Sequence, residues 1–453
     1  MKNNIKSLEL TCVRIICSLC KNKKWCLAMS CKKNLENYSK IVTFLIVAYL
    51  LGVYFLPERI KIITIGFVLS FFLAEIVRQR RIIIWASVST WLCYIVFSIL
   101  SCVWGKGRFD DAIEFIISIS IALLLAVFDF SIEERALQFK GLAIVGGVVI
   151  LGCVLQYVSP ETLKKINATH LTAEKYRLFD DFFRAGRLVG FSFQTAITGF
   201  YLAILFGIVF SNFLCSFRKN KVVKNIVYVV SLITIYVFVF LTAKRSFILL
   251  IPCGVFCLIC FLFRKHIGKI IVFSFVAISI MLFLLYKTDF GQAILLRSSG
   301  DNWSTGREQI NEQMIELFWN APIIGNGISS TLVLLSGYQN AHNIYLQVLS
   351  ESGILGFCII VIAFGVSLME NIKVLSIAVK AKQDKVISLA SICLFIQIVF
   401  LGWGLTGNPL YDVYPFFVYM VSVGCINSIK RCQRVKKAIN YESWNCYILS
   451  QKL

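Results

Sequence analysis

Runs of mostly apolar residues recur along the chain at 41–56, 60–77, 82–104, 112–130, 141–158 and 188–214. They recur again at 226–243, 246–263, 270–286, 353–369, 386–404 and 416–428, each bounded by a polar cluster. A hydrocarbon core of about 30 Å is crossed by about 20 such residues in an α-helix. Within lipid the backbone must satisfy its own hydrogen bonds, which favours helices over open strands. The pattern therefore predicts an all-α integral membrane protein of about twelve transmembrane helices. Two longer polar stretches, Ser159 to Arg187 and Lys287 to Ser352, break the alternation. Long connections in a compact architecture usually carry function, so the expected arrangement is a helical bundle under a partly helical, extracytoplasmic loop cap.

Composition agrees. Of 453 residues, 58% are hydrophobic and only 15% charged, whereas soluble domains carry about 25% charged residues. A net charge of +22 would suit a nucleic-acid partner if the cations shared one soluble face. Instead they fall between spans. With the N-terminus placed inside, the inner segments hold 31 of the 46 lysines and arginines, the bias expected of cytoplasmic loops. These segments include RQRR at 78–81, RKNKVVKN at 218–225, RKHIGK at 264–269 and residues 373–385. The organisation predicted is a basic cytoplasmic segment over 1–40, a polytopic domain over 41–428 and a basic cytoplasmic tail over 429–453, with no nucleic-acid partner. The first forty residues lack the apolar core of a cleavable leader, so the first span is expected to serve as the targeting signal. Most of the seventeen cysteines lie in or beside apolar runs, where they act as small hydrophobes. Cys17 and Cys20 form a CxxC in the basic N-terminal segment, read as unpaired cytosolic thiols in preference to a metal or lipidation site.

The candidate chemistry lies on the outward side. STGREQINEQMIELFW reads as an amphipathic helix with Thr305 as N-cap and Glu308 completing a capping box; Ile310, Met314, Leu317 and Phe318 share a face that would lie on the membrane surface. Pro322, Gly325 and Gly327 end it. Arg307 would stand in the first turn, where backbone N–H groups favour an anion; pairing with Asp301 or a helix glutamate is the alternative. In AHNIYLQVLSESGILG, a continuous helix would align His342, Leu346, Leu349, Gly353 and Gly356 along one stripe, with Asn343 on its flank. Glycines there admit a neighbouring helix or a lipid chain. Taken alone, His342 reads more readily as a packed or hydrogen-bonded bystander than as a catalytic group, and His170 and His266 have no comparable setting.

LTAKRSFILLIP places Lys244 and Arg245 between two apolar runs on the outward side, against the local charge bias. Either they snorkel from a tight hairpin or they form a cationic site for a lipid-linked anion. RLFDDFFRAGRLVGFSFQT brings Arg184 and Arg187 to the outer end of the sixth span, with Asp180 and Asp181 near enough to neutralise part of that charge. Gln194 and Thr195 follow inside the span. No phosphate loop, zinc-like His and Cys grouping or Gly-x-Ser-x-Gly elbow is present in the sequence. Span centres lack ionisable residues, which argues against an ion-coupled transporter.

Taken together, these motifs resemble the O-antigen ligase and O-antigen polymerase superfamily of bacterial membrane glycan-assembly enzymes. His342-Asn343 followed by Gly353 and Gly356 resembles the signature after the family's large periplasmic loop. GREQINEQMIELFWNAPIIGNG resembles the helix and turn before it. TAKRS resembles the arginine motif between two spans, although Ser and Gly often stand where Lys244 and Ser246 stand here. RLVGFSFQT resembles, more loosely, an arginine-and-glycine entry to an earlier span.

The resemblance implies a GT-C-like glycosyltransferase architecture and an inverting, metal-independent enzyme with no cofactor. It implies an undecaprenyl diphosphate-linked oligosaccharide donor and a lipid-linked acceptor at a bacterial cytoplasmic membrane. Other polysaccharide assembly proteins, such as a flippase and a chain-length regulator, would be partners. It implies His342 as the acceptor base, Arg187, Arg245, Arg307 and Lys244 as diphosphate-binding groups, and Asn343, Gly353 and Gly356 as support. Arg245 and Arg307 would join His342 in catalysis. Polymerisation of O-antigen, capsule or exopolysaccharide units is the first expectation. Ligation of a finished glycan to lipid A core or protein is the second, and a lipid-linked sugar flippase or exporter the third.

Overall fold

The computed structural model describes residues 85–128, 130–217, 221–263, 307–335 and 341–451, with side chains as far as 434, and isolated positions between 41 and 292. Nine of the expected spans fall on described helices. These are α1 (Ala86–Ser101), α2 (Phe109–Val127), α3 (Ile132–Val158), α6 (Thr195–Phe217), α7 (Val222–Leu241), α8 (Arg245–Leu262), α11 (Ile344–Lys380), α12 (Asp384–Trp403) and α13 (Val413–Gln451). Between them lie the short helices α4 (Pro160–His170), α5 (Ala173–Arg184), α9 (Arg307–Asn320) and α10 (Thr331–Leu334). Among the described residues, seven helices are long and apolar enough to cross a membrane. The runs at 41–56, 60–77 and 270–286, the N-terminal CxxC, Thr305, Asp301 and His266 lie outside the described stretches.

Lipid removes the hydrophobic drive between helices, so association rests on close packing. The bundle centre is built that way. Trp91 of α1 meets Phe416 of α13 at 5.0 Å and Phe364 of α11 at 5.2 Å, while Phe400 of α12 lies 4.6 Å from Tyr419 of α13. The Phe395 ring lies against Gly207 of α6 and Gly254 of α8, where a Cβ would meet it at 2.2 and 2.8 Å.

Polar contacts sort into two ends. At one, Arg135 is fully buried at the start of α3, donating to Leu125 O, Phe128 O, Gln138 Oε1 and Ser428 Oγ. Lys385 pairs with Glu133 at 2.8 Å and Cys215 donates to Asp384 O. Ser131 caps α3 with a capping box to Glu134. At the other end, the α1–α2 connection meets 326–328, Leu188 N donates to Leu241 O at 3.1 Å, and Ile344 N donates to Gly404 O at 2.9 Å. The connections of the expected outward loops meet there.

Three expectations change. The sixth span begins at Thr195, because residues 188–194 are irregular backbone held by side chains. Gln156 accepts from Val189 N and Gly190 N and donates to Arg187 O, and Asn167 donates to Gly190 O. The stripe through His342, Leu346, Leu349, Gly353 and Gly356 does not exist. His342 stands outside the helix at φ 53, and Gly353 breaks the helical path at φ 60, ψ −168. Finally, the apolar face of α9 packs inward: Met314 is buried with Leu335 and Ala341, and Ile310, Leu317 and Leu346 join it. The side turned outward carries exposed Ile315 and Trp319 instead.

Candidate functional site

The Gly353 break is bridged by the turn after α9. Ile354 N donates to Pro322 O at 2.9 Å and Leu355 N to Ile323 O at 3.2 Å, while Asn326 N and Gly327 N donate to Ser350 O and Glu351 O. A broken helix exposes backbone groups that need partners, and this turn supplies them. Gly325 and Gly353 both take positive φ, and a Cβ on either would lie about 2.4 Å or less from the other segment's backbone. Gly356 lets α1 approach, since a Cβ there would meet the Phe97 ring at 2.9 Å. The NAPIIGNG turn and the glycine pair thus form one joint, which sets off residues 344–352 as a short helical segment.

Asn343 caps that segment. Its Oδ1 accepts from Tyr345 N at 3.0 Å and Leu346 N at 3.3 Å, satisfying N–H groups that a helix start leaves open. Its role is to start the helix and so to place His342 just beyond the end. Tyr345 donates to Leu401 O and Asn408 to Gln347 Oε1, fastening the segment to the last turn of α12 and to the α12–α13 connection.

Lys244 and Arg245 come from a tight turn between α7 and α8. Thr242 Oγ1 donates to Val239 O and accepts from Lys244 N, and Ala243 takes φ 54. Charge coupling shows that the turn faces the loop site. Partial burial, then Arg307 and Lys244, hold the His342 imidazole down at about 4 although the ring keeps an exposed side. Burial and then Arg307 pull the Lys244 ammonium down to about 8. Burial and then Arg245 lower Arg307. Arg307 is the first residue of α9, so the positive end of that helix adds to the same field. Lys244, Arg245, Arg307 and His342 therefore form one electrostatic cluster, although they are up to 98 positions apart in sequence (342 minus 244).

Arg187 stands beside this turn through the Leu188–Leu241 hydrogen bond. Its guanidinium lies over the Phe182 ring at 5.2 Å and its Nε is buried without a hydrogen-bond partner. Arg184, by contrast, is paired with Asp180 at 2.6 Å. Asp180 thus neutralises Arg184, while the Arg187 fork rests on an aromatic face, where it keeps bidentate capacity for phosphate oxygens. His170 is packed, its Nδ1 2.8 Å from Ile166 O and its Nε2 3.3 Å from Phe191 O.

Beneath His342 lies a group that the sequence pattern does not single out. Glu351 is completely buried and hydrogen-bonded to Thr331, Gln347 and Tyr411. It follows His342 by nine positions, at the end of the polar stretch just before the apolar run at 353–369, and a lone carboxylate there carries no periodic signature.

Fold and site together define a multi-pass membrane protein with cations and one histidine gathered at one end of a helical bundle. Residues 229–361 match the family model described as O-antigen ligase, which supports membership of the O-antigen ligase and polymerase superfamily and a bacterial membrane setting. The matched stretch contains Lys244, Arg245, Arg307, His342, Asn343, Gly353 and Gly356, whereas Arg187 precedes it. No curated protein matches the chain.

Proposed function

We propose that the chain is a polysaccharide polymerase that transfers glycan from an undecaprenyl diphosphate-linked donor to a sugar hydroxyl on another lipid-linked repeat unit. The observation that carries this reading is the gathering of like charges at one site, where Arg307 and Lys244 act on His342, Arg307 on Lys244 and Arg245 on Arg307. Like charges held together and partly buried repel each other unless an anion joins them. A lipid diphosphate at the membrane boundary has the charge to do so.

In the reaction, the acceptor oxygen forms a bond to the anomeric carbon from the face opposite the diphosphate. The carbon–oxygen bond to the diphosphate breaks and that electron pair leaves with the phosphate. Lys244 and the arginines 187, 245 and 307 meet the developing charge through preorganised N–H groups. His342, neutral in the free protein, takes the acceptor proton. Inversion follows from a single displacement and requires no metal. The reading includes twelve spans in a GT-C-like arrangement in the cytoplasmic membrane, cytoplasmic termini, and a site facing outward. A flippase and a chain-length regulator would be its working partners.

The test supplies purified protein with lipid diphosphate-linked repeat units and examines the products by gel. A ladder of lengthening glycans is expected; none from folded protein with the correct repeat would sink the polymerase reading. The description of the matched family favours a second reading, ligation to lipid A core or to a protein. Adding such an acceptor to the same assay separates the two, because a ligase then yields one transferred product and no ladder.

A further inference from the structure

Glu351 is a fully buried carboxylate, and the partners that hold it come from three separate parts of the chain. Its Oε1 accepts from Thr331 Oγ1 of α10 at 2.5 Å and from Gln347 Nε2 at 3.1 Å. Its Oε2 accepts from the Tyr411 hydroxyl, in the α12–α13 connection, at 2.7 Å. The backbone N–H of Ser329 donates to it as well, and Gln347 Nε2 also reaches Thr331 Oγ1 at 3.2 Å. These partners are all uncharged. Burying a carboxyl among neutral groups costs stability unless every lone pair is occupied, and an apolar residue would fill the space at less cost. What the carboxyl supplies is a fixed point at which 329–331, 344–352 and 408–411 meet.

That fixed point lies at one end of a short lever. Segment 344–352 is bounded by Gly353, where the helix path breaks, and by Asn343, which caps it. His342 rides on the capped end. With a joint behind it, the segment takes its direction from the contacts along its length, and Glu351 makes the most of them. We propose that Glu351 is a positioning residue for His342: its hydrogen-bond frame sets where the histidine stands relative to Lys244 and Arg307. The kinetic consequence rests on the assignment of His342 as the acceptor base, whereas the placement itself does not.

Hydroxyls both donate and accept, so a carboxamide at 351 can donate to Tyr411 while accepting from Thr331 and Gln347. Glu351→Gln therefore keeps the frame and Glu351→Ala removes it. The test titrates full-length protein in detergent, carrying isotope-labelled histidine, with the His342 resonance identified by its loss in His342→Ala. The groups facing that ring are Lys244 and Arg307, backed by Arg245. Wild type is expected to titrate near 4. Glu351→Ala should move the midpoint toward the ordinary imidazole value by about one unit or more as the ring swings from the cations, and Glu351→Gln should stay with wild type. Turnover should follow, with kcat down by about 10²-fold in the alanine variant and the donor KM nearly unchanged.

Where Glu351→Ala does not yield folded protein, Tyr411→Phe removes one donor from the frame and should shift the same resonance in the same direction. An unmoved His342 titration in the folded alanine variant, or in Tyr411→Phe in its place, overturns the proposal. So does a glutamine variant displaced as far as the alanine one, since charge would then do what the frame is assigned to do. The titration needs no substrate, so a missing glycan ladder alongside the expected shift would count against the enzyme assignment alone.

Discussion

His342 rests as a neutral and weakly basic imidazole, since crowding and two nearby cations oppose its protonation. A base acts only when deprotonated, so activity limited by this group is present above its pKa and lost as pH falls through it. In the free protein that loss belongs near pH 4. A diphosphate bound there, as proposed, would cancel the field of Lys244 and Arg307 and raise the imidazole toward neutrality, where a general base is most effective. The acid limb of kcat should therefore lie at higher pH than the acid limb of kcat/KM, as read from initial rates at saturating and limiting donor. Coincident limbs would separate His342 from the anion site. Replacing the groups tests their roles directly. His342→Ala should lower turnover by about 10²–10⁴-fold and Arg307→Ala by about 10²–10³-fold, each with normal membrane insertion on fractionation. Wild-type rates in either variant would remove that residue from the chemistry.

Among elements, the joint between the α9 turn and α11 most governs the site's shape. Gly353 occupies a backbone region open almost only to glycine, which costs another residue about 1–3 kcal/mol, and the backbone of Ile323 leaves no room for a Cβ. Gly353→Ala should lower the thermal midpoint in detergent and reduce turnover with it; an unchanged midpoint would mean the two segments part easily. The cap makes a separate prediction. Asn343→Ala should destabilise by about 1 kcal/mol through the loss of its two N–H contacts, while Asn343→Ser, which can still cap, should keep both stability and rate. A serine variant as inactive as the alanine one would give Asn343 a chemical role. These features also mark where reading the sequence stops. The apolar runs gave helix positions within a few residues for α7, α8 and α12, because span length and polarity are local properties. Lys244, Arg245, Arg307 and His342 were legible as polar groups between apolar runs, yet their coupling depends on loops meeting across the bundle. The Gly353 break and the irregular 188–194 stretch were not legible, since each is stabilised by hydrogen bonds from distant segments. Glu351 was hidden for the same reason.

For the molecule as a whole, the question is which side of the membrane the cation cluster faces. Contacts divide the described connections into two sets. One gathers residues 102–108, 159–187, 242–245, 307–335, 341–343 and 404–412 around the candidate site. The other gathers 130–135, 215–217, 221–222, 380–386 and 428–434, joined by Arg135, Lys385 and Asp384. α13 starts in the first set and passes into the second, so the C-terminal helix leaves the bundle at the end opposite His342. Lysine and arginine between spans favour the cytoplasmic side for that end. A reporter enzyme that folds only outside the cytoplasm should then be active when inserted at Gly186, an open position with no atom near a Cβ, and inactive when fused after Leu453. A reporter that fluoresces only in the cytoplasm should give the reverse. Activity of the first reporter at the C-terminus would turn the cluster inward. His342 and the arginines would then face the cytoplasm, where the proposed transfer on the outer face of the membrane could not use them.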